Sequence, residues 1–214
     1  AHRETPGIYR EVLPAWADQN LLSLCQQIRS PLFFAHVRAS TGTFTSRANC
    51  HPFSFANWMF MHNGQIAQYE RIRRDIEAWI PDEQYANREG TTDSEALFLA
   101  LFSMGIQEDP VAAVSELCTR VNKLMQEKGI TGAFRFTATL SDGQSIYAFR
   151  YSSDCRAPTL YYRQDGKGMV LASEPLDVST GCWVEVEPSA GVRIDNAGKM
   201  TDFSMSVPEC EESH

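Results

Sequence analysis

Five residues of the chain carry groups suited to binding a charged small molecule beside a reacting carbonyl. They are Arg38, Thr41, Asn63, Gly64 and Asp93. A guanidinium can hold a carboxylate through two parallel hydrogen bonds, and a carboxylate can accept an ammonium group. An asparagine amide and a glycine N–H can converge on one oxyanion, because glycine lets the backbone approach closely. The residue types therefore include groups that can grip a carboxylate and groups that can stabilise an oxyanion.

Each of these residues also has an ordinary structural interpretation. Arg38 can form an internal ion pair with a structural acid, or with Asp93 in a purely structural domain. Asp93 in a first helical turn also favours the helix macrodipole. Asn63-Gly64 can form a turn, since both residues tolerate positive φ. The residues alone leave these alternatives open, and we interpret His51 and His62 as structural hydrogen-bonding residues, not as bases.

Apolar periodicity predicts the elements that must position these groups. A helix over residues 18–30 is expected to turn Leu21, Leu22, Cys25 and Ile28 inward. A buried strand is predicted over residues 32–37, directly before Arg38. A second strand over residues 58–61 leads to Asn63-Gly64, and helical spacing follows over residues 66–80. Residues 82–90 are predicted to form a charged loop.

Thr92 and Glu95 have capping-box spacing at the start of the helix that contains Asp93. The remainder of this helix is apolar on all sides, which indicates burial between layers. Pro110 suits the first residue of a third helix, which Gly129 ends. Six short strands are then predicted over residues 133–140, 145–150, 160–162, 169–172, 183–186 and 191–194.

This order of elements predicts an α+β layered domain. Two antiparallel sheets packed face to face and flanked by helices would accommodate every element. Residues 205–214 are polar and acidic, so they are expected to form a frayed tail.

Composition excludes several functional classes. The chain has 214 residues, 43% of them hydrophobic, and a formal net charge of -8 with a pI near 5.1. An acidic surface argues against nucleic acid or an anionic membrane as the main partner. No segment has the length of a membrane-spanning helix or the pattern of a signal peptide. The six cysteines form no C-x-x-C pair, so they predict no metal site; a reducing, cytoplasmic setting without disulfides is favoured.

Four short motifs, in their order and spacing, resemble the glutaminase domain of class II glutamine amidotransferases, which are N-terminal nucleophile hydrolases. The resemblance covers roughly residues 8–195 and is greatest to the small stand-alone type. It implies a four-layer αββα sandwich and no cofactor. The motifs are Ala35-His36-Val37-Arg38, Asn49-Cys50-His51-Pro52-Phe53, Asn63-Gly64 and Thr92-Asp93-Ser94-Glu95.

The resemblance assigns roles to the five residues. Arg38 and Thr41 would bind the α-carboxylate of glutamine, and Asp93 would accept its α-ammonium. Asn63 and Gly64 would form the oxyanion hole. The nucleophile of the family is an N-terminal cysteine whose own α-amine acts as the base.

The chain begins with Ala1, and none of its six cysteines is N-terminal. The expectation is therefore a single glutamine amidotransferase domain over residues 1–204 that lacks the strand with the nucleophile, followed by the tail. Such a chain is expected to be inactive on its own.

The expected function is cleavage of the side-chain amide of glutamine or of a γ-glutamyl compound through a cysteine thioester. The released ammonia can pass to a partner protein or leave. The alternative is a catalytically dead amino-acid-binding or scaffold domain of the same fold, in which Arg38, Thr41 and Asp93 still bind the ligand.

Overall fold

The structure, a computed structural model, describes residues 5–37, 46–166, 168–177 and 182–210. Its helices are α1 (Gln19–Gln27), α2 (Tyr69–Glu77), α3 (Asp82–Tyr85), α4 (Asp93–Ala100) and α5 (Pro110–Glu127). Its strands are β1 (Phe53–Phe55), β2 (Trp58–Ile66), β3 (Phe134–Ser141), β4 (Ile146–Ser152), β5 (Tyr161–Asp165), β6 (Gly168–Ala172), β7 (Val184–Glu185), β8 (Ala190–Ile194) and β9 (Met200–Ser204).

The strands form two sheets, and every pairing within them is antiparallel. The larger sheet has six strands in the order β1-β2-β3-β4-β8-β9, and the smaller has the order β6-β5-β7. The longest pairing of the larger sheet joins β2 to β3, and in it Met59 faces Ser141 and Ile66 faces Phe134. The expected α+β class with two antiparallel sheets is therefore confirmed.

The side chains of β4 are buried on both faces of the strand, and the cluster that each one joins shows how the layers stack. Tyr147, Phe149 and Tyr151 join the main core with the apolar residues of α2, α4 and α5. Ala148 belongs instead to a second cluster with Leu160 of the segment before β5 and with other residues near the small sheet. Because successive strand residues point to opposite faces, the large sheet lies between the helices and the small sheet.

Helix α4 is the most deeply buried helix of the described chain. Every residue from Ser94 to Ala100 is buried, as its apolar composition predicts. Thr92 caps the helix by accepting a hydrogen bond from the Glu95 N–H over 3.2 Å. Helix α5 begins at Pro110 and turns nine buried residues inward, which also confirms its prediction. A further helix, α3, and the edge strands β1 and β9 were not predicted.

The N-terminal part of the chain departs from its predictions. Residues 32–37 form no strand; Phe33 is 65% exposed and Val37 is 81% exposed. Helix α1 has no buried residue, although its periodicity predicts an inward face. Leu21 and Leu24 of α1 are only half-buried. In residues 32–37 alternate side chains are half-buried, and His36 packs against the ring of His51. Periodicity shows that a segment has an apolar face, but it does not show that another element lies against it.

Three predictions about the cysteines and the tail are also wrong. Cys155 and Cys210 form a disulfide, with their Cα atoms 5.1 Å apart. Cys25 is exposed rather than buried, whereas Cys118 is buried as expected and its burial raises the pKa of the thiol. Met205 belongs to the main core, so the tail is fixed as far as Cys210. Among the described residues we find no helix long and apolar enough to cross a lipid bilayer.

We expect the Cys155–Cys210 disulfide to stabilise the fold, because it closes a loop of 55 residues in the unfolded chain. Replacing both cysteines by serine should lower the free energy of unfolding by about 2–4 kcal/mol, measured by urea denaturation without reductant. The matched control is Cys25→Ser with Cys182→Ser, two exposed free cysteines, which should change it by no more than about 0.5 kcal/mol. Equal stability of the two double variants would contradict the structural role of the bond.

Candidate active site

Asp93 lies directly beside the end of strand β2. Its Oδ2 atom accepts a hydrogen bond from the backbone N–H of Ile66 over 2.9 Å. Its Oδ1 atom accepts the N–H of Ser94 over 2.8 Å. Asp93 is the first residue of α4, where the helix N-terminus favours a negative charge. The fold thus bonds this carboxylate to Ile66, which follows Gly64 on β2 by two residues.

The loop before Asp93 is fixed by buried polar groups. The Oδ1 atom of buried Asn49 accepts the Thr91 N–H over 2.8 Å. The Glu95 carboxylate accepts the N–H groups of Glu89 and Gly90 over 2.9 and 2.8 Å. The Arg88 guanidinium lies 3.7 Å from the same carboxylate, and its positive charge compensates the burial of the Glu95 charge. Glu95 therefore supports the preceding loop, and only the Thr92 half of the capping box forms.

Asn63 and Gly64 lie inside β2, not in a turn between a strand and a helix. They pair with Thr137 and Phe136 of β3, so the turn interpretation is wrong. Asn63 is exposed, and its side chain forms no hydrogen bond with the residues that the structure describes. Its amide can therefore act as a donor to a ligand.

Only glycine fits at position 64. Its φ is 153°, and a Cβ placed there would lie 1.9 Å from the Arg135 carbonyl oxygen. The same Cβ would lie 2.7 Å from Nε2 of His62. Close packing against β3 thus gives a structural reason for this glycine. The oxyanion-hole role remains a prediction.

His62 joins strand β2 to helix α4. The imidazole is buried, with Nδ1 2.9 Å from the Ser94 hydroxyl and Nε2 3.2 Å from the Arg135 carbonyl oxygen. Burial lowers the pKa of His62 below its ordinary value of 6.5, although the charge of Asp93 acts in the opposite direction. His62 is therefore a neutral hydrogen-bonding residue, in agreement with its structural interpretation.

Arg135 contributes its backbone, not its charge, to this arrangement. Its guanidinium pairs with Asp154, with Nη2 2.7 Å from Oδ2. This hydrogen bond is the main cause that lowers the pKa of Asp154 to about 2. The carbonyl of Arg135 is left to face His62 and Gly64.

Two predicted site residues, Arg38 and Thr41, lie outside the described residues. The distance between Arg38 and Asp93 is therefore not part of the structure described above. His51, which the sequence indicates to be a structural residue, is buried and packs against Phe53 and His36 with ring centroids 4.7 and 4.2 Å away. The described parts of the chain contain no group of three His, Cys, Asp or Glu residues arranged to hold a metal ion.

Sequence reasoning did not assign roles to several residues that build the site. Asn49, Ser94 and Glu95 each hold Asp93 or its loop in place through the hydrogen bonds described above. All three belong to the quoted motifs, so their position was available from the sequence. Their partners in space were not.

Comparisons with known proteins identify the family of the chain. A model of the family described as class II glutamine amidotransferases matches residues 15–165. The chain therefore belongs to the class II glutamine amidotransferases.

Curated relatives match parts of the chain. A protein of Saccharomyces cerevisiae named probable glutamine amidotransferase DUG3 is 45% identical over 97 residues, which are 45% of this chain and 27% of that protein. The chain thus spans about a quarter of this relative. A protein of Mycobacterium tuberculosis named gamma-glutamyl-hercynylcysteine sulfoxide hydrolase is 25% identical over 194 residues, covering 90% of this chain and 71% of that protein.

Solved structures confirm the fold. A glutamine aminotransferase class-II domain protein from Silicibacter pomeroyi superimposes with a TM-score of 0.87 and 39% identity, covering 98% of this chain and 90% of that chain. The glutamine phosphoribosylpyrophosphate amidotransferase of B. subtilis gives a TM-score of 0.54 at 19% identity, covering 79% and 34%. This second likeness concerns the fold alone.

Because burial lowers the pKa of His62, we expect this residue to make stability depend on pH. An unfolded histidine takes up a proton near pH ~6.5, whereas buried His62 does so only at lower pH. Its contribution is therefore complete above about pH 6.5 and is lost as the pH falls below it, by at most ~1.4 kcal/mol per pH unit. Between about pH 7.5 and about pH 5.5, the free energy of unfolding, measured in urea, should fall less for His62→Gln than for the unchanged protein. Equal losses in the two proteins would contradict a neutral, buried His62.

Proposed function

We propose that this chain is the glutaminase-type domain of an amide hydrolase, which cleaves the side-chain amide of glutamine or of a γ-glutamyl compound. The observation that carries the proposal is the position of Asp93, whose Oδ2 atom accepts the Ile66 N–H at 2.9 Å. This bond holds the Asp93 carboxylate beside the strand that carries Asn63 and Gly64, which supports its proposed role as the acceptor of an α-ammonium. An amino-acid head and a reacting side-chain carbonyl then have adjacent binding groups.

Arg38 and Thr41 complete the proposed clamp by binding the α-carboxylate of the substrate. Asp93 and Arg38 together would read both charges of a free amino acid, so a neutral or singly charged amide would bind weakly. Glutamine and γ-glutamyl compounds share this head and differ only in the group that leaves. The name of the yeast relative refers to glutamine, and that of the mycobacterial relative refers to a γ-glutamyl compound. The proposal includes both kinds of substrate.

The proposed reaction needs an N-terminal cysteine, which the printed sequence does not supply. Its thiolate attacks the γ-carbonyl carbon and forms a tetrahedral intermediate whose oxyanion accepts hydrogen bonds from the Asn63 amide and the Gly64 N–H. The C–N bond breaks, and ammonia or an amine leaves with a proton that the α-amine of the cysteine took from the thiol. Water then hydrolyses the thioester, which releases glutamate and regenerates the thiol.

We propose that residues 1–204 form one glutaminase-type domain. Without an N-terminal cysteine, this domain is proposed to bind substrate but not to turn it over. A small-molecule amide is its ligand, and a protein that accepts the released ammonia is a further proposed partner. The cytoplasmic setting also stays a proposal. A binding or scaffold domain without catalysis is the second candidate, because the Asp93 carboxylate could bind an amino acid whether or not a nucleophile stands beside it.

Binding by the printed chain tests the clamp. We expect Asp93→Asn to weaken binding of L-glutamine at least about tenfold, because a charged hydrogen-bond partner of the α-ammonium is lost. Binding is measured by NMR titration. Glutaric acid monoamide, which is glutamine without its α-amine, serves as the control ligand and should bind both proteins alike. Unchanged glutamine affinity of Asp93→Asn would refute the clamp.

Turnover tests the enzyme against the binding domain. In a form of the protein with an N-terminal cysteine, glutaminase activity is expected, and Asn63→Ala should lower kcat by roughly a hundred- to a thousandfold. Asn57→Ala is the matched control. Asn57 is an exposed asparagine in the turn before β2, and its amide donates to the Asp142 carbonyl. Absence of activity in the cysteine form favours the second candidate. Measurable activity of the chain that starts with Ala1 would refute the proposed nucleophile.

A further inference from the structure

The Ser94 hydroxyl can reach two hydrogen-bond acceptors. Its Oγ atom lies 2.9 Å from Nδ1 of His62 and 3.4 Å from Oδ1 of Asp93. A hydroxyl has one hydrogen to donate, so it can satisfy only one of the two at a time. Which one it chooses decides how much of the Asp93 carboxylate remains for a ligand.

The tautomer of His62 follows from its other nitrogen. Nε2 lies 3.2 Å from the Arg135 carbonyl oxygen, which can only accept a hydrogen bond. In the opposite tautomer, an unprotonated Nε2 would face the carbonyl oxygen. Two buried acceptors would then lie against each other without a hydrogen bond, which is unfavourable. Nε2 therefore carries the hydrogen, and in the neutral ring Nδ1 is an acceptor.

The surroundings of the ring keep it in this state. Phe136 packs against it with ring centroids 5.1 Å apart, and Phe60 lies 6.2 Å away on the same strand. From α4, Asp93 is the charged group whose field acts on the imidazole; from β3, Arg135 presents its carbonyl while its guanidinium pairs with Asp154. In the neutral ring, Nδ1 is thus available to accept the Ser94 hydrogen at 2.9 Å, the shorter of the two Oγ contacts.

We propose that His62 and Ser94 are positioning residues for substrate recognition: His62 holds the Ser94 hydrogen away from Asp93, so that Asp93 Oδ1 keeps a lone pair for the substrate α-ammonium. This inference rests on the proposed function of Asp93. It assigns to the histidine of His62-Asn63-Gly64 and to the serine of Thr92-Asp93-Ser94-Glu95 a shared role. Neither residue needs to touch the substrate.

Removing the acceptor at position 62 tests this role. In His62→Phe the hydroxyl of Ser94 loses Nδ1 and turns to Asp93, where it competes with the ligand's ammonium. Binding of L-glutamine to the full chain should weaken about five- to tenfold. Binding of glutaric acid monoamide, which has no ammonium, should change by less than about twofold.

The decisive variant adds Ser94→Ala to His62→Phe. It removes the competing hydroxyl, so glutamine affinity should return to within about threefold of the unchanged protein. A merely structural role of His62 predicts no such recovery, since a second lost contact adds to the first. An affinity as low as that of His62→Phe alone, or an equal loss for both ligands, would overturn the proposal.

A measurement on the unchanged protein stands even where His62→Phe does not fold. The ¹⁵N chemical shifts of His62 should show a protonated Nε2 and an unprotonated Nδ1 near about pH 7.5. The opposite tautomer would refute the inference. If Asp93→Asn loses glutamine binding and the opposite tautomer is found, the proposed function stands without this inference. If the unchanged protein binds neither glutamine nor a γ-glutamyl compound, the proposed function itself is refuted.

Discussion

The hydrogen bond from the Ile66 N–H to Asp93 Oδ2 is the contact on which the candidate site depends. It joins the end of β2 to the first residue of α4, two elements that are separated by α2, α3 and a polar loop. Through it, the proposed ammonium acceptor and the proposed oxyanion-hole residues share one rigid junction. Without it, Asn63-Gly64 and Asp93 would be two unrelated motifs.

The junction is rigid because each side is fixed independently. On the strand side, β2 pairs with β3 over eight residues, and Gly64 allows the Arg135 carbonyl to approach too closely for any side chain. On the helix side, α4 is buried in the main core, while Asn49 and Glu95 hold the loop before it. His62 and Ser94 then bond the two sides directly. Such support from packed elements keeps binding groups in place better than a loop would.

The part of the chain before residue 38 shows the limit of pattern reasoning. Its spacing predicts an inward helix face and a buried strand, and both patterns are present in the sequence. In the described structure neither apolar side is fully buried, and Trp16 is 79% exposed. The tail shows the converse, since its polar composition predicts fraying whereas Met205 is buried and Cys210 is disulfide-bonded. Composition describes what a segment can bury, not what lies beside it.

The sequence by itself determined the class of fold, the buried α4, the Pro110 start of α5 and the family to which the motifs point. These follow from local rules: periodicity, capping and short spacings act within a few residues. The tertiary structure alone decided that Asp93 meets Ile66, that His62 bonds Ser94 and that Asn63-Gly64 continues a strand. Each of these is a contact between segments far apart in the chain or a register between two strands. Local propensity carries no information about such partners, because they are chosen by the packing of the whole domain.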